Sequence, residues 1–145
     1  MNMKTITMTL LLALSTLASA RLGETESQCV ERYGEVNSIG KDGERYFSKN
    51  GIFLTVRFNG EGKAIFLQYS NADGSDLQVS HAQILVEANG TGWVKDRVSK
   101  TLTCWDKSGY VAFLNKTGVL FVSTEREFGR MMDEQDKRKK ELRAF

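Results

Sequence analysis

The chain has 145 residues, of which 41% are hydrophobic and 26% charged, with a formal charge of +2 at pH 7. That balance excludes recruitment to nucleic acid or anionic lipid by global charge, and it leaves enough apolar material for one globular core. Proline is absent, and two cysteines and one histidine are present, so turns fall to Gly and Asn and a Cys–His catalytic pair has a single candidate histidine.

Met1 to Ala20 reads as a secretory signal peptide. Lys4 is the positive start, Ile6 to Ala18 is mostly apolar, and Ala18-Ser19-Ala20 is a small-residue cleavage site. A membrane anchor needs roughly 20 uninterrupted apolar residues, which this run does not supply. A lipoprotein would carry Cys directly after the cut, where Arg21 stands. The expectation is an exported protein, periplasmic or secreted after cleavage near Ala20, with no stable membrane anchor. Without Lys4 the formal charge is +1, and no nucleic-acid partner is expected.

Residues 21–123 read as one α+β domain built from a tandem repeat, the first copy spanning about 23–70 and the second about 80–123. Each copy is a helix followed by a three-stranded antiparallel meander, with both helices packed on one face of the sheet. The first helix starts at Thr25, with Gln28 completing a capping box, and stops at Gly34; Cys29, Val30 and Tyr33 form its buried stripe. Glu35 to Gly43 reads as a polar loop. Strands follow at Arg45 to Lys49, Ile52 to Phe58 and Lys63 to Tyr69, with Asn50-Gly51 as a strong hairpin signal. In the second strand Leu54 and Val56 oppose Phe53, Thr55 and Arg57. In the third, Ala64, Phe66 and Gln68 oppose Ile65, Leu67 and Tyr69.

Asn71 to Asp76 is an acidic loop, but it lacks the spacing of a calcium-binding loop and no metal or cofactor is expected. The second helix is read from Ser80-x-x-Gln83 to Asn89-Gly90, with Ile84, Leu85 and Ala88 as its buried stripe. Trp93 and Val94 begin an extended segment, and strands follow at Thr101 to Trp105, Tyr110 to Leu114 and Val119 to Val122. The helix starts are about 55 residues apart and the hairpin glycines about 58. Residues 124–145 read as a charged C-terminal helix. Phe128, Met131, Met132 and Gln135 lie against the body, and Lys137 to Lys140 form a solvated basic end.

Cys29 and Cys104 are the candidate disulfide of an exported chain. The bridge would clasp the two copies through a loop of about 75 residues and add roughly 4 kcal/mol. The competing reading makes them two separate small buried residues. Tyr46, Trp93, Trp105 and Tyr110 are the candidate partner-binding aromatics, weighed against a core role. Asn89-Gly90-Thr91 and Asn115-Lys116-Thr117 match the glycosylation sequon, which matters only in a eukaryotic secretory route.

The segment Gly23-x-Thr25-x3-Cys29-x3-Tyr33-Gly34 resembles the opening helix of the BamE (SmpA/OmlA) family of bacterial envelope proteins. In that family a Gly-x-Thr start is followed four places on by an apolar residue and then by an apolar-Gly stop. The proline usual after the Gly is Val36 here, one place late. A helix and antiparallel sheet duplicated in tandem is similar to the beta-lactamase inhibitor protein fold. The resemblance implies a sheet with helices on one face, the other face open to protein contacts, and no catalysis.

The function expected from this reading is a non-enzymatic, exported protein-binding module of a bacterial envelope, an assembly accessory or an enzyme inhibitor, whose protein partner is not identified by the sequence. The alternatives are an exported small-ligand-binding domain and, less favoured, a small secreted hydrolase. The hydrolase finds no nucleophile elbow, metal cluster or phosphate loop, and His81 stands at a helix start.

Overall fold

The computed structural model describes residues 21–99 and 101–144, the Arg97 side chain excepted. The expected signal peptide, Met1 to Ala20, lies outside the described residues. The elements in chain order are α1 (Glu26–Tyr33), β1 (Ser38–Ile39), β2 (Arg45–Lys49), β3 (Ile52–Phe58), β4 (Ala64–Asn71), α2 (Val79–Glu87), β5 (Val94–Val98), β6 (Leu102–Lys107), β7 (Tyr110–Asn115), β8 (Leu120–Thr124) and α3 (Glu125–Arg143). Among the described residues the eight strands form one antiparallel sheet in the order β1-β2-β3-β4-β8-β7-β6-β5.

The α+β class and the charged C-terminal helix agree with the sequence reading, but each half carries four strands instead of three. β1 arises inside the expected polar loop: the Asn37 amide donates to the Tyr46 carbonyl at 2.8 Å, and Gly40 closes a tight turn onto the Glu44 carbonyl at 2.8 Å. A ladder of two residues needs no apolar pattern, so nothing in Ser38–Ile39 announces it. β5 is the counterpart at the other edge, where Lys95, Asp96 and Arg97 stand between Val94 and Val98. The ladder steps from Lys95–Trp105 to Arg97–Cys104 and skips Asp96, so this edge is both charged and bulged. Such an edge resists pairing with other strands.

Local chemistry sets the joints. Thr25 Oγ1 accepts from the Gln28 amide at 3.3 Å while Gln28 Oε1 accepts from the Thr25 amide at 2.9 Å, a complete capping box for α1. Asn50 and Gly51 both have positive φ, 51° and 78°, as a type I′ hairpin turn requires. The second helix departs from expectation. It begins at Val79 with Gln78 as N-cap and no side-chain cap, so Ser80 lies inside the first turn. Gln83 is instead committed to Trp105, whose indole N–H donates to Gln83 Oε1 at 2.6 Å. The buried indole needs an acceptor, and Gln83 satisfies that need. The α2 stripe shifts accordingly: Ala82 and Val86 are buried, whereas Ile84, expected inside, is 48% exposed.

One face of the sheet carries the core. Phe47, Leu54, Val56, Leu67, Tyr69, Trp105, Leu120 and Val122 join Cys29 of α1 and Ala82 and Val86 of α2 in a single buried cluster. The strand alternation matches the sequence pattern in β3 and breaks in β4. There the register passes from Arg57–Phe66 to Phe58–Ala64, skipping Ile65. The bulge turns Ala64 into the core and Phe66 to the opposite face, although strict alternation places them together.

The expected Cys29–Cys104 disulfide is not formed. Cys29 is buried beneath α1 in the core, whereas Cys104 lies between Thr103 and Trp105, both buried on the core side, and so points to the opposite face. The sheet itself separates the two sulfurs. Burial, reinforced by Glu24, pushes the Cys29 thiol up to about 12.

Candidate functional site: the outer face of the sheet

The face opposite α1 and α2 is not bare. Residues that alternate with the core positions place Arg57, Phe66, Phe121, Phe113, Val111 and Cys104 on it. Phe121 and Phe113, paired across β8 and β7, stack with centroids 4.7 Å apart and planes at 19°. Phe66 stands 6.0 Å from Phe121, and the Arg57 guanidinium lies 5.1 Å from the Phe66 ring centroid. These separations are those of attractive aromatic and cation–π pairs.

α3 crosses this face. Thr124, the last residue of β8, is also its N-cap, accepting from the Glu127 amide at 3.2 Å. Phe128 sets its ring edge-on to Phe113 at 5.5 Å. Glu127 is buried beside it and accepts from Arg57 at 2.8 Å and from Arg130 at 2.7 Å. Arg57 also approaches Glu44 at 3.8 Å, and Arg130 pairs with Glu134 one turn on. The Arg130 guanidinium holds the Glu127 carboxyl below the ordinary glutamate range; burial opposes this and Arg57 adds to it. Glu127 in turn holds Arg130 protonated more firmly.

Grooves flank the helix. One, of about 360 Å³, is lined by Leu102, Cys104, Val111, Phe113, Phe128 and Met132, with Asp96 and Asp106 at its margin. The other, of about 510 Å³, runs from Phe113, Phe121 and Phe128 past Met131 to Arg57, Arg138 and Asp42. An aromatic floor with charged margins is chemistry suited to recognition.

Of the four aromatics singled out from sequence, Trp93, Trp105 and Tyr110 do not form this surface. Trp105 is fully buried in the core, which removes it as a partner anchor. Trp93 and Tyr110 pack 6.4 Å apart on the core side, with the Lys107 ammonium 5.8 and 5.5 Å from their ring centroids. Both rings thus hold a cation of the chain itself. Tyr46, half-buried in β2 and alternating with core Phe47, lies on the outer face but three strands away from Phe121. Sequence reasoning passed over Phe66, Phe121, Arg57 and Glu127 as site residues. The alternation Leu120-Phe121-Val122 is a signal that could have placed Phe121 opposite the core, whereas the Arg57–Glu127 salt bridge spans 70 residues and leaves no local signal.

The remaining polar candidates do not converge on a site. His81 is exposed on α2. Asp73 accepts from the Ser75 hydroxyl at 2.6 Å and amide at 2.9 Å, bonds that hold its carboxyl below the ordinary range and close the acidic loop on itself. Asn89 Oδ1 accepts from the Leu22 amide and its Nδ2 donates to the Leu85 carbonyl, while Asn115 Oδ1 accepts from Thr117 and Val119, so both sequon asparagines stabilise turns. Among the described residues no group of three or more His, Cys, Asp and Glu is placed to hold a metal, and no helix is long and apolar enough to cross a membrane. No protein-family profile, curated protein or solved structure matches the chain.

Proposed function

We infer that the chain is an exported, non-enzymatic protein-binding module of a bacterial envelope, an assembly accessory or an enzyme inhibitor. The observation that carries this reading is the asymmetry of the sheet. One face is closed by α1 and α2 over a continuous core, and the other presents stacked phenyl rings beside grooves. Aromatic side chains on the floor of a groove, with charges around them, match the central anchors of protein interfaces. The strand order supports the duplicated architecture: β1 to β4 and β5 to β8 mirror each other about the β4–β8 pair, each set preceded by a helix. Both units then present one face of a shared sheet to a partner.

A small apolar ligand is the second reading, favoured by the groove of about 360 Å³ beside α3, a volume in the range of small-molecule sites. Affinity capture from an envelope fraction with residues 21–145 as bait distinguishes them. A defined protein retained by the wild type and by Ile84→Lys, but lost with Leu102→Lys, is the expected result. Equal retention by Leu102→Lys removes the outer face from the account, and capture of a lipid or metabolite with no protein favours the second reading.

A further inference from the structure

The fastening of α3 is confined to its first two turns. Glu127 is buried and Phe128 and Met131 are half-buried, whereas every residue from Met132 to Arg143 is exposed. Two half-buried apolar side chains and one ion cluster therefore hold a 19-residue helix, and a segment attached so lightly opens locally before the strands it covers. Its removal would leave the Phe113–Phe121 stack bare. It would also take away the carboxylate that Arg57 donates to at 2.8 Å and leave it only the looser approach to Glu44 at 3.8 Å. A guanidinium with donors freed in this way offers a ready site for a carboxylate.

We propose that α3 is a displaceable strap, and that the surface beneath it is a docking site for a segment of a protein partner bearing an adjacent acidic and aromatic residue. The resident pair Glu127-Phe128 states the required chemistry: a carboxylate for Arg57 and a ring for the stacked phenyls. The proposal rests on the reading that the outer face binds protein, and it adds the partner's chemistry and the means of regulation. The pivot is the joint at Thr124, which both ends β8 and caps α3.

The test uses the full chain with Glu127→Gln and Phe128→Ala together, and a synthetic peptide of residues 124–135 as the probe. The peptide binds the double variant about tenfold or more tighter than the wild type, whose own strap competes at high effective concentration. A peptide with Ala in place of the phenylalanine does not bind. No binding to the double variant, or equal affinity for variant and wild type, overturns the proposal. Native-state hydrogen exchange on the wild type gives an independent reading should the variant not fold. α3 amides that exchange at denaturant concentrations where β6, β7 and β8 stay protected support the strap, and exchange of all four elements together refutes it. These measurements need no cellular partner, so their failure is separable from failure of the capture experiment.

Discussion

The indole of Trp105 is fully buried and its N–H reaches one acceptor, Gln83 Oε1. Gln83→Leu keeps the bulk and strands that donor, so unfolding in urea is expected to reveal a loss of about 1–3 kcal/mol. The same separation of faces governs the cysteines. With Cys29 under α1 and Cys104 turned away from the core, a reductant leaves the melting temperature of the purified chain unchanged. With its thiol pushed up to about 12 by burial, Cys29 resists iodoacetamide at pH 8 until the protein unfolds. Glu127 is the residue with a pH consequence. Its folded carboxyl lies below the unfolded value because Arg130 and Arg57 donate to it. Its contribution is therefore present above the ordinary glutamate range and is lost as pH falls through that range and below. Glu127→Gln is expected to flatten the dependence of stability on pH between about pH 5 and 3, measured by denaturant midpoints. Cys29, Leu54 and Val56 were legible as core from helical spacing and strand alternation. The Trp105–Gln83 and Arg57–Glu127 pairs were not, because polar partners distant in sequence leave no periodic trace.

The two helix starts carried the same sequence signal and differ in structure, which makes them a matched pair. Thr25→Ala removes a formed capping box and is expected to cost about 1 kcal/mol. Ser80→Ala, inside the first turn of α2, is expected to stay within about 0.5 kcal/mol. Both are read from chemical denaturation. A stricter constraint sits at the β7–β8 turn. Gly118 has φ 67°, and a side chain there would run into the backbone of Asp76, so Gly118→Ala is expected to cost more than about 2 kcal/mol. Strands with clean alternation, β3 and β7, and the Asn50-Gly51 turn were readable because local propensity and tertiary burial agree there. The extended segment from Val94 was readable as well, but β1, the bulge in the β5–β6 pair and the Ile65 bulge were not. Two polar residues, a charged edge and a skipped register position are decided by neighbouring strands.

At the scale of the molecule the sheet has two chemically different sides. The core side joins α1 and α2 to all of the central strands, and the Leu22 amide, bonded to Asn89 at 2.9 Å, ties the entry of α1 to the end of α2. The shared core and this hydrogen bond link the two halves beneath the lightly fastened α3. The division of faces was visible in the alternation of Leu54 with Phe53, and the packing of the C-terminal helix on the body in Phe128 and Met131; Met132 and Gln135, expected to join them, are exposed, and which face the helix covers left no sequence signal. The central claim is that partners meet the outer face. Its most direct test is photo-crosslinking with a reactive amino acid at Asp96, exposed beside the outer groove, against the same probe at Ile84, exposed on α2. The account predicts one defined adduct from position 96 and none from position 84. A defined adduct from position 84 alone would contradict it.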